Sequence, residues 1–193
     1  MDTIAPFRIT VCGIEELEGH NASGVSHVLS ILDPEWPVPE AFGSFGEHEK
    51  LELRFHDVIE AAEGDQAPGE EHVAQLLRFG RDLTAEPPPQ AHLLVHCHAG
   101  ISRSTASMTL ILAQALPQRS GAEVLAEVLR IREKAWPNLR ILELGDAMLG
   151  RGGDLVAAAT HVYRHQLMRR PWLAEEMTRL GRIREVEAAR RDG

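Results

Sequence analysis

The chain contains little that would mark a secreted or membrane-embedded protein. It has only two cysteines, Cys12 and Cys97, too few and too far apart for a disulfide-stabilised extracellular domain. No apolar run approaches the roughly 18 residues that a membrane-spanning helix needs. The first ten residues, MDTIAPFRIT, lack the basic and apolar segments of a secretory signal. We therefore expect a cytoplasmic protein with free thiols.

Positive charge is also scarce, and nearly all of it is arginine. The 20 basic residues are outnumbered by 29 acidic residues, which gives a net charge of −9, and only Lys50 and Lys134 are lysines. A negative protein is repelled by the phosphate backbone of nucleic acids and by anionic lipid headgroups. We therefore expect neither a nucleic acid nor a membrane as a partner, and any anion site must be built from local groups.

The pattern of apolar residues predicts a single α/β domain over residues 1–193. Strands are predicted at 7–13, 26–32, 50–58 and 91–96, and helices at 70–83, 104–116 and 122–135, with three more helices from residue 138 onwards. This order favours a three-layer fold, in which helices flank a mostly parallel sheet of four to five strands. We expect a core over about residues 7–140. Residues 141–193 then form a helix-rich extension that is packed on the core or appended to it.

One short segment places a cysteine between a buried strand and a helix. In LLVHCHAGISRST, Leu93–Thr105, an apolar strand leads into Cys97 and a strong helix pattern begins beside Arg103. A free thiol has a pKa of about 8.5 and is mostly protonated at pH 7. Backbone amides pointing into the loop, together with the positive end of the following helix, would favour the thiolate form of Cys97. The arrangement therefore predicts a nucleophilic cysteine.

Two further residues of this segment suit an anion site. Gly100 allows a positive φ or a close approach of the backbone to its surroundings. Arg103 offers a planar guanidinium that can bind two phosphate oxygens at once, which a lysine cannot do. The loop between Cys97 and Arg103 is thus suited to hold a tetrahedral dianion next to the thiolate.

The nine residues from His96 to Ser104 resemble the His-Cys-x5-Arg-Ser/Thr loop of the cysteine-dependent protein tyrosine phosphatases. The Gly-x-Ser-Arg-Ser form is most similar to the dual-specificity branch, including its small bacterial members. Weaker likenesses, in HVLSILD and in the pair Pro137-Asn138, extend over about residues 7–140. The resemblance implies a protein-tyrosine-phosphatase-like fold and the hydrolysis of phosphomonoesters through a phosphocysteine intermediate.

The resemblance also implies a role for each residue of the loop. Cys97 would attack phosphorus, Arg103 would bind the phosphoryl oxygens, and Ser104 would hydrogen-bond the sulfur when it leaves. His96 would orient the loop, and the Ser102 hydroxyl would lie near the nucleophilic water. The phosphate would be bound by His98, Ala99, Gly100, Ile101, Ser102 and Arg103. No metal and no cofactor is implied.

The family also uses an aspartic acid to protonate the leaving oxygen, and two residues compete for this role. Asp57 closes a predicted strand, so a parallel sheet would bring it to the same edge as Cys97. Asp65 lies in the glycine-flanked stretch EGDQAPG, and its distance from the cysteine along the chain is closer to the family's usual spacing. We expect Asp57 to be the acid, with Asp65 as the alternative.

The substrate class follows less directly from the sequence. The loop has no lysine between Cys97 and Arg103, unlike its phosphoinositide-directed relatives, and Tyr163 is the only tyrosine. We expect a phosphotyrosyl protein as the substrate, with phosphoserine, phosphothreonine or a small phosphomonoester as further candidates. Two alternatives stay open: a sulfurtransferase or arsenate reductase with a similar thiolate loop, and a phosphate-binding module with weak turnover. Nothing in the sequence indicates an oligomeric state.

Overall fold

A four-stranded parallel sheet forms the centre of the structure. The computed structural model describes residues 4–85 and 91–191. The strands are β1 (Arg8–Cys12), β2 (His27–Leu32), β3 (Glu49–Arg54) and β4 (His92–His96), in the spatial order β1-β4-β2-β3. The register places His96 of β4 beside both Cys12 and Ser30. The carboxyl ends of the strands therefore meet at one edge of the sheet, where Cys97 follows β4.

Seven α-helices follow or separate these strands in the described residues. They are α1 (Glu70–Ala85), α2 (Arg103–Ala115), α3 (Gly121–Ile131), α4 (Leu139–Met148), α5 (Asp154–Arg169), α6 (Leu173–Arg179) and α7 (Ile183–Arg190). Two 3-10 helices, Ile14–His20 and Glu40–Ser44, lie in the connections on either side of β2. The prediction of an α/β sheet with a helix-rich C-terminal region is confirmed.

The third strand is shorter than its sequence pattern predicts. Residues 50–58 alternate as a strand should, but β3 ends at Arg54. Beyond it, the His56 amide donates to the Gln66 carbonyl at 2.8 Å, and the Gln66 amide donates to His56 Nδ1 at 3.0 Å. These bonds close a loop that turns the chain away from the sheet, so Asp57 lies in a loop rather than on a strand.

The two faces of the sheet are covered differently. Along β4, Leu93 and Val95 belong to the main apolar core, which the α-helices cover, whereas Leu94 belongs to a smaller cluster on the other face. The smaller cluster includes Leu17 from the first 3-10 helix and is covered in part by Phe42 from the second. Because β4 is buried on both faces, its three central residues, Leu93, Leu94 and Val95, are all apolar.

The C-terminal helices share the main core with the sheet. Tyr163 of α5 and Val186 of α7 are buried in the same cluster as Leu93 and Val95 of β4. The Tyr163 ring lies 4.9 Å from the Trp136 ring, and its hydroxyl donates to the Pro137 carbonyl at 2.6 Å. The described C-terminal helices therefore pack on the core of the sheet, and the assignment of a single domain over residues 1–193 stays a prediction. None of the described helices is long and apolar enough to cross a membrane.

Candidate active site

Cys97 is the first residue of a tight loop, residues 97–103, that connects β4 to the N-terminus of α2. Its side chain is 2% exposed, and its Sγ lies 3.2 Å from Ser104 Oγ in the first turn of α2. Gly100 has a φ of +67°, and a Cβ built on it would lie 2.4 Å from the carbonyl carbon of Cys12. Only glycine fits this position, because any side chain would collide with the backbone of β1.

The backbone of the Cys97 loop has a uniform orientation. Each carbonyl from residue 98 to residue 102 accepts a hydrogen bond from a group outside the loop. The donors are the Ile14 amide to His98 (2.9 Å), the Arg132 guanidinium to Ala99 (3.1 Å) and Gly100 (2.9 Å), the Trp136 amide to Ile101 (2.9 Å) and the Ala106 amide to Ser102 (3.0 Å). In a trans peptide the N–H points opposite to the C=O. The amides of residues 99–103 therefore point to the inner side of the loop.

Arg132, at the end of α3, holds the outer side of this loop in place. Besides its two bonds to loop carbonyls, its guanidinium binds both carboxylate oxygens of Glu16, at 2.9 and 2.5 Å. Glu16 also accepts the Gly13 amide at 2.6 Å. The bonds from Arg132 and from Gly13 lower the pKa of Glu16 to about 2 against the opposing effect of burial, with the Arg132 bonds the larger cause. Neither residue is predicted from the sequence, because nothing in their local sequence connects them.

His96 lies in the core below the loop. Its ring is fully buried, and its Nε2 is within hydrogen-bonding distance of Ser30 Oγ, at 2.8 Å. Burial is the main cause that lowers the pKa of His96 to about 4, so the ring is neutral at pH 7. A neutral buried ring that is fixed by a serine on the neighbouring strand suits a residue that orients the loop.

Arg103 is buried at the start of α2, and not all of its N–H groups have a hydrogen-bond partner among the described residues. Its Nη1 donates to the Asp33 carboxylate at 2.7 Å and to the Phe55 carbonyl. Its Nε, in contrast, has no hydrogen-bond partner among the described residues and is shielded from solvent. A buried polar group left without a partner costs about 1–3 kcal/mol. The arrangement is therefore suited to an anionic acceptor that enters the loop.

Asp33 is a member of the site that the sequence analysis missed. It follows the last residue of β2, and its carboxylate lies between Arg103 and His98, whose Nδ1 is 3.8 Å away. In the sequence, Asp33 stands out only as the last residue of HVLSILD. Like Asp57, Asp33 is a carboxylate that follows a parallel strand, and this position in the sequence is the signal that would identify it.

Asp57 is held against the Cys97 loop by three polar neighbours. Its carboxylate accepts hydrogen bonds from Ser102 Oγ at 2.7 Å and from Asn138 Nδ2 at 2.9 Å, and it lies 3.5 Å from Arg182 Nη1. Burial raises the pKa of Asp57, but the charges of Arg182 and Arg103 and the two hydrogen bonds outweigh it. The net effect holds the pKa below its ordinary value.

Asp65, the alternative acid, is engaged within its own turn. Its carboxylate accepts the Ala62 amide at 3.1 Å and lies 3.8 Å from His56 Nδ1. The structure thus brings Asp57 to the Cys97 loop, whereas the bonds of Asp65 lie within the loop that follows β3. The choice between the two as acid stays a prediction.

A cavity of about 580 Å³ opens beside the loop. It is lined by His98 and Ala99 of the loop, by Trp36 and Lys134, and by the segment 13–16. The Trp36 ring lies on the His98 ring, with the ring centroids 4.4 Å apart, and 44% of Trp36 is exposed. The cavity therefore offers an aromatic wall next to the Cys97 loop.

Comparisons with known proteins identify the fold. No family model and no curated protein matches the sequence. Among solved structures, human DUSP28 is 17% identical with a TM-score of 0.55, over 78% of this chain and 99% of that chain. The Cydia pomonella PTP-2 phosphatase is 19% identical with a TM-score of 0.56, over 75% and 88%. PTPMT1, solved in complex with PI(5)P, is 16% identical with a TM-score of 0.54, over 75% and 91%.

Proposed function

Starting from a chain with the fold of the dual-specificity and protein tyrosine phosphatases, we propose that it hydrolyses phosphomonoesters through a phosphocysteine intermediate. The observation that carries the proposal is the unpartnered, buried Nε of Arg103 beside a loop whose amides point inward. A phosphoryl group in that loop would accept hydrogen bonds from these amides and from the guanidinium, next to the Cys97 sulfur. Donors that are already oriented stabilise charge in the transition state without reorganisation.

In the first step, the Cys97 thiolate attacks phosphorus and the bond from phosphorus to the leaving oxygen breaks. Asp57, in its protonated form, gives its proton to the leaving oxygen, so that an alcohol or phenol departs and phosphocysteine remains. Arg103 and the inward amides bind the three phosphoryl oxygens throughout. Because Ser102 and Asn138 hold the Asp57 carboxyl at the rim of the loop, the acid is already close to the leaving group.

In the second step, Asp57, now a carboxylate, takes a proton from water while the water oxygen attacks phosphorus. The P–S bond breaks, inorganic phosphate forms, and Cys97 is released as the thiolate. Ser104 Oγ, 3.2 Å from the sulfur, donates a hydrogen bond to the departing thiolate and so favours its release. Apart from the substrate and water, every group that these two steps use belongs to this chain.

We further propose a phosphotyrosyl protein as the main substrate. Trp36 provides an aromatic wall beside the loop, on which a phenyl ring can pack. The loop has no lysine that would meet additional phosphates of a more highly charged substrate. Phosphoserine, phosphothreonine and small phosphomonoesters would bind the same loop with less contact to Trp36. The two free thiols suit the reducing cytoplasm.

A phosphate-binding module with weak turnover is the second candidate, and the surroundings of Asp57 favour it. The charges of Arg182 and Arg103 lower the pKa of Asp57, which disfavours the protonated form that the first step requires. An arsenate reductase is less well supported, because burial, followed by the charge of Glu16, raises the pKa of Cys12 to about 12. A thiol that ionises so poorly is a slow partner for thiol exchange.

The experiment that tests the proposal is hydrolysis of p-nitrophenyl phosphate by the purified protein without added metal. We expect turnover that vanadate inhibits and that Cys97→Ser abolishes, while the variant still binds phosphate analogues. Full activity in Cys97→Ser would contradict the covalent mechanism. Binding of vanadate without any turnover in the wild-type protein would favour the binding module.

A further inference from the structure

The C-terminal segment that contains α6 and α7 places one of its arginines inside the candidate active site. We propose that Arg182 is a positioning residue that fixes the Ser102 hydroxyl and the Asp57 carboxylate, so that the C-terminal segment, residues 173–190, completes the site. The inference rests on the proposed function. It adds to that function a residue that lies outside the Cys97 loop and outside the stretch of about residues 7–140 to which the sequence resemblance extends.

The side chain of Arg182 reaches the site from the turn between α6 and α7. It is 4% exposed, its Nη1 donates to Ser102 Oγ at 2.8 Å, and the same nitrogen lies 3.5 Å from Asp57 Oδ2. Ser102 Oγ in turn donates to Asp57 Oδ1 at 2.7 Å. Arg182, Ser102 and Asp57 therefore form a closed triangle, in which one guanidinium nitrogen determines where both oxygen atoms lie.

The other edge of the guanidinium is anchored by Glu185 of α7. Arg182 Nε and Nη2 donate to the two Glu185 oxygens, at 2.8 and 2.7 Å. Glu185 is itself fully buried and also accepts the Trp136 Nε1–H at 2.5 Å and the Leu139 amide at 3.0 Å. Since Leu139 begins α4 and Trp136 lies just ahead of it, Glu185 ties the C-terminal segment to the segment that carries Asn138.

The charges around Asp57 come from several elements. Arg182 and Arg103, at the start of α2, are the cations that lower its pKa, and His98 of the Cys97 loop also faces it. Arg182 faces Glu185 of α7, Asp57 and the buried Tyr163 of α5. Burial is the main cause that lowers the pKa of His98, so His98 adds little positive charge at pH 7. Arg182 is thus one of two cations that keep Asp57 ionised.

This geometry has a kinetic consequence that a purely structural arginine would not have. As the general acid, Asp57 must be protonated in the enzyme–substrate complex, so kcat falls as pH rises past its pKa. An opposite charge within about 4–6 Å lowers a carboxyl pKa by about 1–3 units. Removal of the Arg182 charge should therefore move the alkaline limb of the kcat profile to higher pH.

The test is the pH dependence of kcat for a phosphotyrosyl peptide in the double variant Arg182→Gln/Glu185→Gln. The double change removes the charge of Arg182 without leaving an unpaired buried carboxylate at residue 185, and it keeps both side chains polar. We expect the alkaline limb, where kcat falls with increasing pH, to shift to higher pH by about 1–3 pH units relative to the wild type. Arg184→Met is the matched control, because Arg184 lies on the same segment but pairs with Glu60 and Glu143 near the surface. It should leave the limb unchanged.

Two further variants keep the proposal testable if the double variant is unstable. Glu185→Gln alone retains Arg182 and removes its counter-charge, so the limb should stay in place or move to lower pH. Arg182→Lys retains the charge, so the limb should stay close to that of the wild type even if kcat falls. A shift of the alkaline limb to higher pH in Glu185→Gln would overturn the proposal. An alkaline limb at the wild-type pH in a folded double variant would overturn it as well.

The same data separate this inference from the proposed function. If hydrolysis in the wild type does not depend on Cys97, the proposed function fails. If hydrolysis depends on Cys97 but the double variant leaves the alkaline limb at the wild-type pH, only the inference about Arg182 fails. In the Asp57→Asn background the double change should cause no shift, because the group that titrates is gone.

Discussion

Arg132 and Glu16, 116 positions apart in the sequence, form a bidentate ion pair on the outer side of the Cys97 loop. The same guanidinium binds the carbonyls of Ala99 and Gly100. Since the carbonyls are held outward, the amides that follow them must point inward. A salt bridge outside the site thus fixes the direction of the dipoles that, in the proposed function, bind a phosphoryl group inside it.

The first prediction concerns the pH dependence of this ion pair. The pKa of Glu16 is lowered from 4.5 to about 2, so its contribution to stability is complete above pH 4.5 and is lost as pH falls towards about 2. Because Glu16 is partly exposed, we expect Glu16→Gln to cost only about 0.5–1 kcal/mol at pH 7. Urea unfolding should show this cost shrinking by at least half at pH 3. An equal cost at both pH values would contradict the assignment.

The second prediction concerns Gly100. The substitution Gly100→Ala forces a Cβ into the backbone of β1 at a positive φ, so the loop must deform. Gly152→Ala is the matched control, because its φ is +63° but nothing lies within 4 Å of the added Cβ. We expect Gly100→Ala to lower the free energy of unfolding by at least about 1 kcal/mol more than the control. It should also abolish vanadate binding, which the control should retain.

The third prediction distinguishes the two candidate acids. Asp57→Asn should lower kcat for a phosphotyrosyl peptide by about 10²–10⁴-fold, because the leaving oxygen then departs without a proton. The loss should be smaller for p-nitrophenyl phosphate, whose leaving group needs less protonation. Asp65→Asn should change kcat little. A large loss in Asp65→Asn together with a small loss in Asp57→Asn would reverse the assignment.

The fourth prediction concerns the pH at which the wild-type protein turns over substrate fastest. The net effect of its surroundings lowers the pKa of Asp57, which favours the carboxylate over the acid form. We therefore expect kcat to be highest under acidic conditions and to fall steadily between pH 6 and pH 8. Steady-state kinetics with one phosphopeptide in buffers of constant ionic strength will show this. A kcat that is level across this range would indicate that Asp57 is not the acid.

The central loop could be predicted from the sequence because its residues are contiguous. Cys97, Gly100, Arg103 and Ser104 lie within eight positions, and the strand before them and the helix after them have clear patterns. The sheet could be predicted for the same reason, since each strand has a local pattern of apolar residues, continuous in the centre of β4 and alternating in β3. Asp57 was found because strand ends converge in a parallel sheet, even though β3 itself ends three residues earlier.

The residues that the sequence analysis missed interact over long distances in the chain. Glu16 and Arg132 meet through the packing of two distant segments, and Arg182 is one of many arginines in a segment of mixed charge. No local pattern distinguishes a buried arginine from an exposed one in such a segment. Arg182 is recognised only when the fold shows that α7 packs on α5 and brings it beside Asp57.

The central claim is that Cys97 itself carries the phosphoryl group during turnover, and rapid acid quenching followed by mass spectrometry of the digested protein tests it most directly. With a phosphotyrosyl peptide in excess as substrate, the account predicts one added phosphate on the digestion fragment that contains Cys97. In Asp57→Asn, a larger fraction of this fragment should carry phosphate when hydrolysis of the intermediate is slowed more than its formation. Phosphate on another residue, or turnover by Cys97→Ser at the wild-type rate, would contradict it.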